Sequence, residues 1–161
     1  MSPGTGARSP RGAWGRAGLV LVAVLATDQA VKALVNASLQ RGEERDLVAA
    51  IKLVNTRNTG VAFGQLQDGG AIVAVVIAAA IAALLAYFLR HAGQPLMWLP
   101  TGMLLGGALG NIVDRIREGA VVDFLKLPYW PAFNVADASI TVGVVILLIV
   151  IERGDGARAS T

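Results

Sequence analysis

MLLGGALGNIVDRIREGAVVDFLKLPYWPAFNVADASIT, residues 103–141, sets three blocks rich in Gly, Asn, Asp and Arg against some of the most apolar sequence in the chain: GGALGNIVDRI (106–116), VVDFL (121–125) and PAFNVADASI (131–140). Asp114, Asp123 and Asp137 fall in these blocks. An ionisable side chain at the centre of a lipid-embedded helix costs roughly 3 kcal/mol or more, so it points to a functional site in which the charge has a partner. Composition favours a membrane setting, with 55% of the 161 residues hydrophobic and 16% charged and a mean hydropathy of +0.60. A soluble domain of this length could not bury that much apolar surface.

Working outward, the uncharged run AIVAVVIAAAIAALLAYFL (71–89) is near the ~20 residues a helix needs to cross the hydrocarbon layer. After the turn RHAGQP (90–95), a further span starts at Leu96, with Gly102, Gly106 and Gly110 at the four-residue spacing that lets helices approach closely. The uncharged stretch after Asp137, residues 138–151, is too short for a full crossing at ~1.5 Å per residue, so the last span takes in Asn134 to Asp137. Toward the amino terminus, an apolar run from Ala17 to Val35 carries Asp28, Gln29 and Lys32 in its later half. Its basic leader also fits a cleavable signal peptide, but the run continues past any plausible cleavage point.

The expected fold is therefore an all-α membrane protein of four transmembrane helices with a small extracytoplasmic β-structured segment. A flexible basic tail covers 1–16, and a single four-helix domain covers 17–152, with spans near 17–36, 70–89, 96–114 and 134–151. Segments 37–69 and 115–133 lie outside the cytoplasm, and 153–161 is a polar tail. Within 47–64, β-branched and apolar residues mixed with the turn-prone Asn58-Thr59-Gly60 suggest short strands at the membrane surface. Lys and Arg are spread nearly evenly over the two sides, so the charge rule gives no orientation, although Arg8, Arg11 and Arg16 before the first span favour cytoplasmic termini. Four crossings bring Asp114, Asp123 and Asp137 to one end of the bundle, with Asp28 pointing toward it.

The inventory excludes most hydrolytic chemistry. There is no cysteine, and the single histidine, His91, lies in the turn at the opposite end, so neither a Ser-His-Asp triad nor a Cys-His pair can be assembled. Zinc hydrolysis, which needs several His or Cys ligands, is equally disfavoured, and no metal or cofactor is expected. The basic residues form no stripe, so nucleic acid is not an expected partner. Lys32 could pair with Ser38 or Ser139 as a Ser-Lys dyad, but it lies four residues after Asp28 and is expected to pair with that carboxylate. Two aspartates remain as a workable apparatus: sharing a proton, the ionised one takes a proton from water and the protonated one donates to a peptide carbonyl.

The blocks DQAVK (28–32), NTGVAFG (58–64), GNIVDR (110–115), VVDF (121–124) and FNVAD (133–137), in this order, resemble the lipoprotein signal peptidases, also called signal peptidase II. The resemblance covers nearly the whole four-span core. It implies an aspartic endopeptidase of the bacterial inner membrane that removes the signal peptide from prolipoproteins, cutting before a cysteine that carries a diacylglyceryl group. It makes Asp123 and Asp137 the catalytic pair, which the residues alone would not have distinguished from a pair that includes Asp114. Asn58, Gly60, Asn111, Arg115 and Asn134 are implied to bind substrate, and Asp28, Lys32 and Asp114 to support the site. The implied partners are diacylglyceryl-modified prolipoproteins and membrane lipid, the latter through uncharged lateral grooves between spans. Asn134 is equally suited to helix capping, and the two roles are compatible. The loop after Asp123, with Pro128 and Pro131, has little room for a helix and is shorter than the family's usual lid. A rival reading is a small proton-coupled four-helix transporter, which would depend most on Asp28. A purely structural scaffold would depend on neither Asp123 nor Asp137.

Overall fold

The computed structural model describes residues 10–59 and 69–159. Its elements run α1 (Pro10–Ser38), β1 (Glu44–Val48), β2 (Ile51–Asn58), α2 (Gly69–His91), α3 (Trp98–Glu118), β3 (Val121–Lys126) and α4 (Val135–Ala159). Stretches of α1 (Arg11–Ser38) and α4 (Val135–Gly154) are long and apolar enough to cross a membrane. A shorter apolar stretch, Val75–His91, lies in α2. The helices are longer than their apolar cores suggest, because a helix does not stop where hydrophobicity stops. Residues 10–16, expected in the tail, form the first turns of α1, and residues 153–159 continue α4. Likewise α3 continues one turn past Asp114 to Glu118, where Gly119 takes a left-handed conformation (φ 72°) and its N–H closes the helix on the Arg115 carbonyl.

α3 is the centre of the bundle, and its glycines explain how. A Cβ at Gly102 would stand 2.5 Å from the Ala17 carbonyl oxygen and one at Gly106 2.8 Å from that of Leu21, so α1 lies almost against the α3 backbone. On another side of α3, a Cβ at Gly107 would stand 2.6 Å from the Ala136 carbonyl oxygen of α4. At one end of the bundle Ala13 and Ala17 of α1, Phe88 of α2, Met97 before α3 and Val150 of α4 form a buried cluster. The start of α1 and the end of α4 thus meet there, as an up-and-down arrangement requires.

The opposite end carries an antiparallel sheet in the order β1-β2-β3. β1 and β2 lie within or beside the segment expected to hold strands. β3, by contrast, falls on what was expected to be a plain connection between spans. Val121, Val122, Phe124 and Leu125 give the run its β propensity, but its aspartate and its six-residue length make it read as a loop. β3 pairs Thr56 with Asp123 across the ladder, which holds that aspartate in the sheet. Val35, Leu39 and Phe124 pack together, and the Asn55 side-chain amide donates to the Leu39 carbonyl at 2.8 Å, so the sheet is seated on the end of α1.

Candidate active site

The amino terminus of α4 builds the centre of the site. Asn134 Oδ1 accepts the Asp137 N–H at 2.8 Å, and Asp137 Oδ2 accepts the Asn134 N–H at 3.3 Å. This reciprocal pair is a capping box, which satisfies two donors and places a carboxylate at the positive end of the helix dipole. Asp28 of α1 adds to it by accepting the Ala136 N–H at 2.9 Å. The other end of the Asn134 amide is turned to the sheet, where Nδ2 donates to Asp123 Oδ1 at 2.7 Å. Capping and site contact are therefore combined in one buried side chain.

Each candidate catalytic carboxylate has a second amide donor. Asn58 Nδ2 donates to Asp123 Oδ2 at 3.0 Å, and Asn111 Nδ2 donates to Asp137 Oδ1 at 2.8 Å. Asp123 is only 1% exposed, whereas Asp137 is half-buried. Burial pushes the Asp123 carboxyl up to about 6, and the negative charge of Asp137 adds to the rise, while hydrogen bonds from Asn58 and Asn134 and the Lys32 charge oppose it. The two carboxylates share Asn134 as a partner: its backbone N–H donates to Asp137 and its side-chain amide to Asp123. The pair presents one acid inclined to hold a proton beside a second, more accessible carboxylate, which is the arrangement that general acid-base hydrolysis requires.

Beneath the pair, Lys32 contacts Asp28 and Asp114, each at 2.7 Å, and donates to Asn111 Oδ1 at 3.2 Å. The helical pairing expected for Lys32 and Asp28 is present. Asp114 is held by Lys32 and by Gln29, whose Nε2 donates to Asp114 Oδ1 at 2.8 Å. Arg115 turns back along α3 to donate to the Asn111 carbonyl and borders a groove between α2 and α3. Gly60 lies outside the described residues, as do Val61 and Phe63. Sequence reasoning passed over Gln29, although an amide in an apolar run beside Asp28 was the signal available.

Two spaces reach the site. A cavity of about 450 Å³ lies against the sheet and reaches Asp123, with Thr56, Asn58, Thr59 and Trp130 on its walls. An apolar groove of about 730 Å³ runs between α2 and α3, walled by Ile77, Ile81, Leu85, Ile112 and Ile116. Thr59 borders both, so the polar cavity and the lateral groove converge there.

A family model described as signal peptidase (SPase) II matches residues 20–152. The lipoprotein signal peptidase of Halothermothrix orenii is 37% identical over 132 residues, covering 81% of this chain and 91% of that protein. The lipoprotein signal peptidase of Moorella thermoacetica is 41% identical over 144 residues, covering 87% and 96%. Among solved structures, a bacterial membrane enzyme determined by the in meso method at 1.9 Å resolution superposes with a TM-score of 0.79 at 29% identity, covering 85% of this chain and 92% of that one. A second, at 2.3 Å resolution, gives a TM-score of 0.77 at 30% identity, covering 89% and 91%.

Proposed function

The chain belongs to the signal peptidase II family and is a protease that removes signal peptides from lipoprotein precursors, and from that premise we propose that Asp123 and Asp137 are its catalytic pair. The observation that carries this reading is Asn134, which caps α4 through Asp137 while its amide holds Asp123 at 2.7 Å. In the proposed reaction ionised Asp137 takes a proton from a water molecule as that water attacks the scissile carbonyl. Asp123, which holds the proton, donates it to the carbonyl oxygen, and the tetrahedral intermediate then collapses with return of a proton to the leaving amine. Asn58, Asn111 and Asn134 orient the two carboxyl groups, and Arg115 and Thr59 both line the groove. The proton-coupled transporter is not supported, since the matched family and the relatives described above are peptidases.

The proposed setting is the bacterial inner membrane, crossed four times, with both termini in the cytoplasm and the dyad near the extracytoplasmic face. The apolar lengths of α1 and α4 and their up-and-down packing support it. The convergence of groove and cavity at Thr59 supports a precursor whose acyl chains stay in lipid while its peptide enters the polar cavity beside Asp123. Purified enzyme in lipid nanodiscs is expected to cut a diacylglyceryl-modified precursor immediately before the modified cysteine, and to prefer it to the unmodified precursor by roughly tenfold or more in kcat/KM. Equal rates on the two substrates, read by intact mass, would exclude lipid recognition.

The pH dependence follows from Asp123. Its acid form is the donor, so kcat/KM is expected to fall as pH rises through about 6. The Asn58 hydrogen bond favours the ionised form, and removing it in Asn58→Leu raises the carboxyl pKa, which moves this basic limb to higher pH. A limb that stays in place, or moves down, would show that Asp123 is not the group being read.

A further inference from the structure

A buried ammonium has three hydrogens, and those of Lys32 meet three acceptors: Asp28 Oδ2 and Asp114 Oδ2 at 2.7 Å, and Asn111 Oδ1 at 3.2 Å. Each of these partners reaches one step further. Asp114 Oδ2 accepts the N–H of Val122, the residue immediately before Asp123, at 3.1 Å. Asp28 Oδ1 accepts the N–H of Ala136, the residue immediately before Asp137, at 2.9 Å. Asn111 donates through its other amide end to Asp137 itself at 2.8 Å. Because an ammonium can only donate, it obliges Asn111 to present its oxygen to Lys32 and its NH₂ to Asp137; the flipped amide would face like groups on both sides. Gly110 closes the arrangement, since a Cβ there would stand 2.7 Å from Asp28 Oδ2.

We propose that Lys32 is a positioning residue: by bridging Asp28, Asp114 and Asn111 it sets the spacing and orientation of Asp123 and Asp137 without touching substrate. The inference rests on the assignment of Asp123 and Asp137 as the catalytic pair. A purely stabilising role accounts poorly for the cluster, because buried ion pairs are weak sources of stability and neutral replacements are often tolerated. Its connections account for it better, since every partner of the ammonium leads to β3 beside Asp123 or to the start of α4.

The test is a triple variant, Asp28→Asn with Lys32→Met and Asp114→Asn, assayed on lipid-modified precursor beside the wild type and Asp123→Asn. Both new amides keep an oxygen for the Val122 and Ala136 N–H groups and no charge is left unpaired. The Gln29 amide, which donates to Asp114 Oδ1, has to turn its oxygen toward the NH₂ introduced at position 114, so the variant is expected to fold with an unfolding midpoint lowered by several degrees. kcat is expected to fall about a hundredfold, the scale of an ångström-level misplacement of reacting groups, with KM within about threefold of wild type. A folded triple variant with kcat within about threefold of wild type, or a loss carried by KM, would overturn the proposal. Should the triple variant not fold, Lys32→Arg decides: it keeps the charge, but its planar guanidinium cannot reach three acceptors arranged for an ammonium. Loss of kcat at matched stability supports the proposal, and wild-type kcat overturns it. Asp123→Asn separates the premise from the inference. If Lys32 alone is misassigned, Asp123→Asn is inactive while the triple variant cleaves; an active Asp123→Asn removes the catalytic pair, and with it the role of Lys32.

Discussion

Asp123→Asn and Asp137→Asn are each expected to lower kcat by about four orders of magnitude, the scale seen when one member of a catalytic unit is removed from a hydrolase. An amide at 123 cannot protonate the carbonyl oxygen as a carboxylic acid does, and an amide at 137 cannot take a proton from water. Neither change should unfold the protein. Asp123 is 1% exposed and its carboxylate is disfavoured by burial, so a neutral isostere relieves that cost while giving up one of the two amide hydrogen bonds from Asn58 and Asn134, about 1 kcal/mol. Asn at 137 keeps an oxygen for the capping box but gives up the Asn111 hydrogen bond and a favourable charge at the start of α4, together worth about 1 to 3 kcal/mol. Cleavage of lipid-modified precursor, read by mass beside thermal unfolding in the same detergent, checks both halves of the expectation. A variant that loses activity only by losing its fold would not support the assignment.

The second large effect concerns Asn134, whose two jobs can be separated. Asn134→Ala removes the cap of α4, at about 1 kcal/mol, together with the donor on Asp123. Asn134→Ser restores an oxygen that can accept the Asp137 N–H but has no reach to Asp123, so the lost stability should return while activity does not. In both variants kcat is expected to fall by about 10² to 10³, as when a single preorganised donor is removed from a dry site. If activity returned with stability in Asn134→Ser, the residue would be a helix cap only. The comparison needs unfolding midpoints and kcat for the wild type and two variants.

Much of the helical framework was legible because apolar runs report burial or lipid contact directly. The run 71–89 and the small residues at 102, 106 and 110 were sufficient to anticipate α2 and the close approach of α3 to a neighbour. Helix ends were not legible in the same way: Pro10–Arg16 has only Ala13 and Trp14 as apolar residues and the last turn of α3 is mostly charged, and charged residues continue a helix as readily as they leave it. β3 was missed because a six-residue strand containing an aspartate carries too little periodicity to stand apart from a loop. At the site, the Asp28–Lys32 pair follows from helical spacing alone. Its link to Asp114 does not, nor does that of Asp28 to Ala136, which lies 108 residues away in sequence. Choosing Asp123 over Asp114 came from the family resemblance. Geometry now adds a physical reason: Asp114 is committed to Lys32, Gln29 and the Val122 N–H, whereas Asp123 reaches the polar cavity.

The central claim is that Asp123 and Asp137 act as one catalytic unit, and a double-mutant cycle on kcat tests it most directly. With Asp123→Asn, Asp137→Asn and the double variant assayed on the same lipid-modified precursor, the double variant is expected to be no slower than the slower single variant, because either loss already disables the pair. Losses that multiply, or a single variant that keeps wild-type kcat, would contradict it.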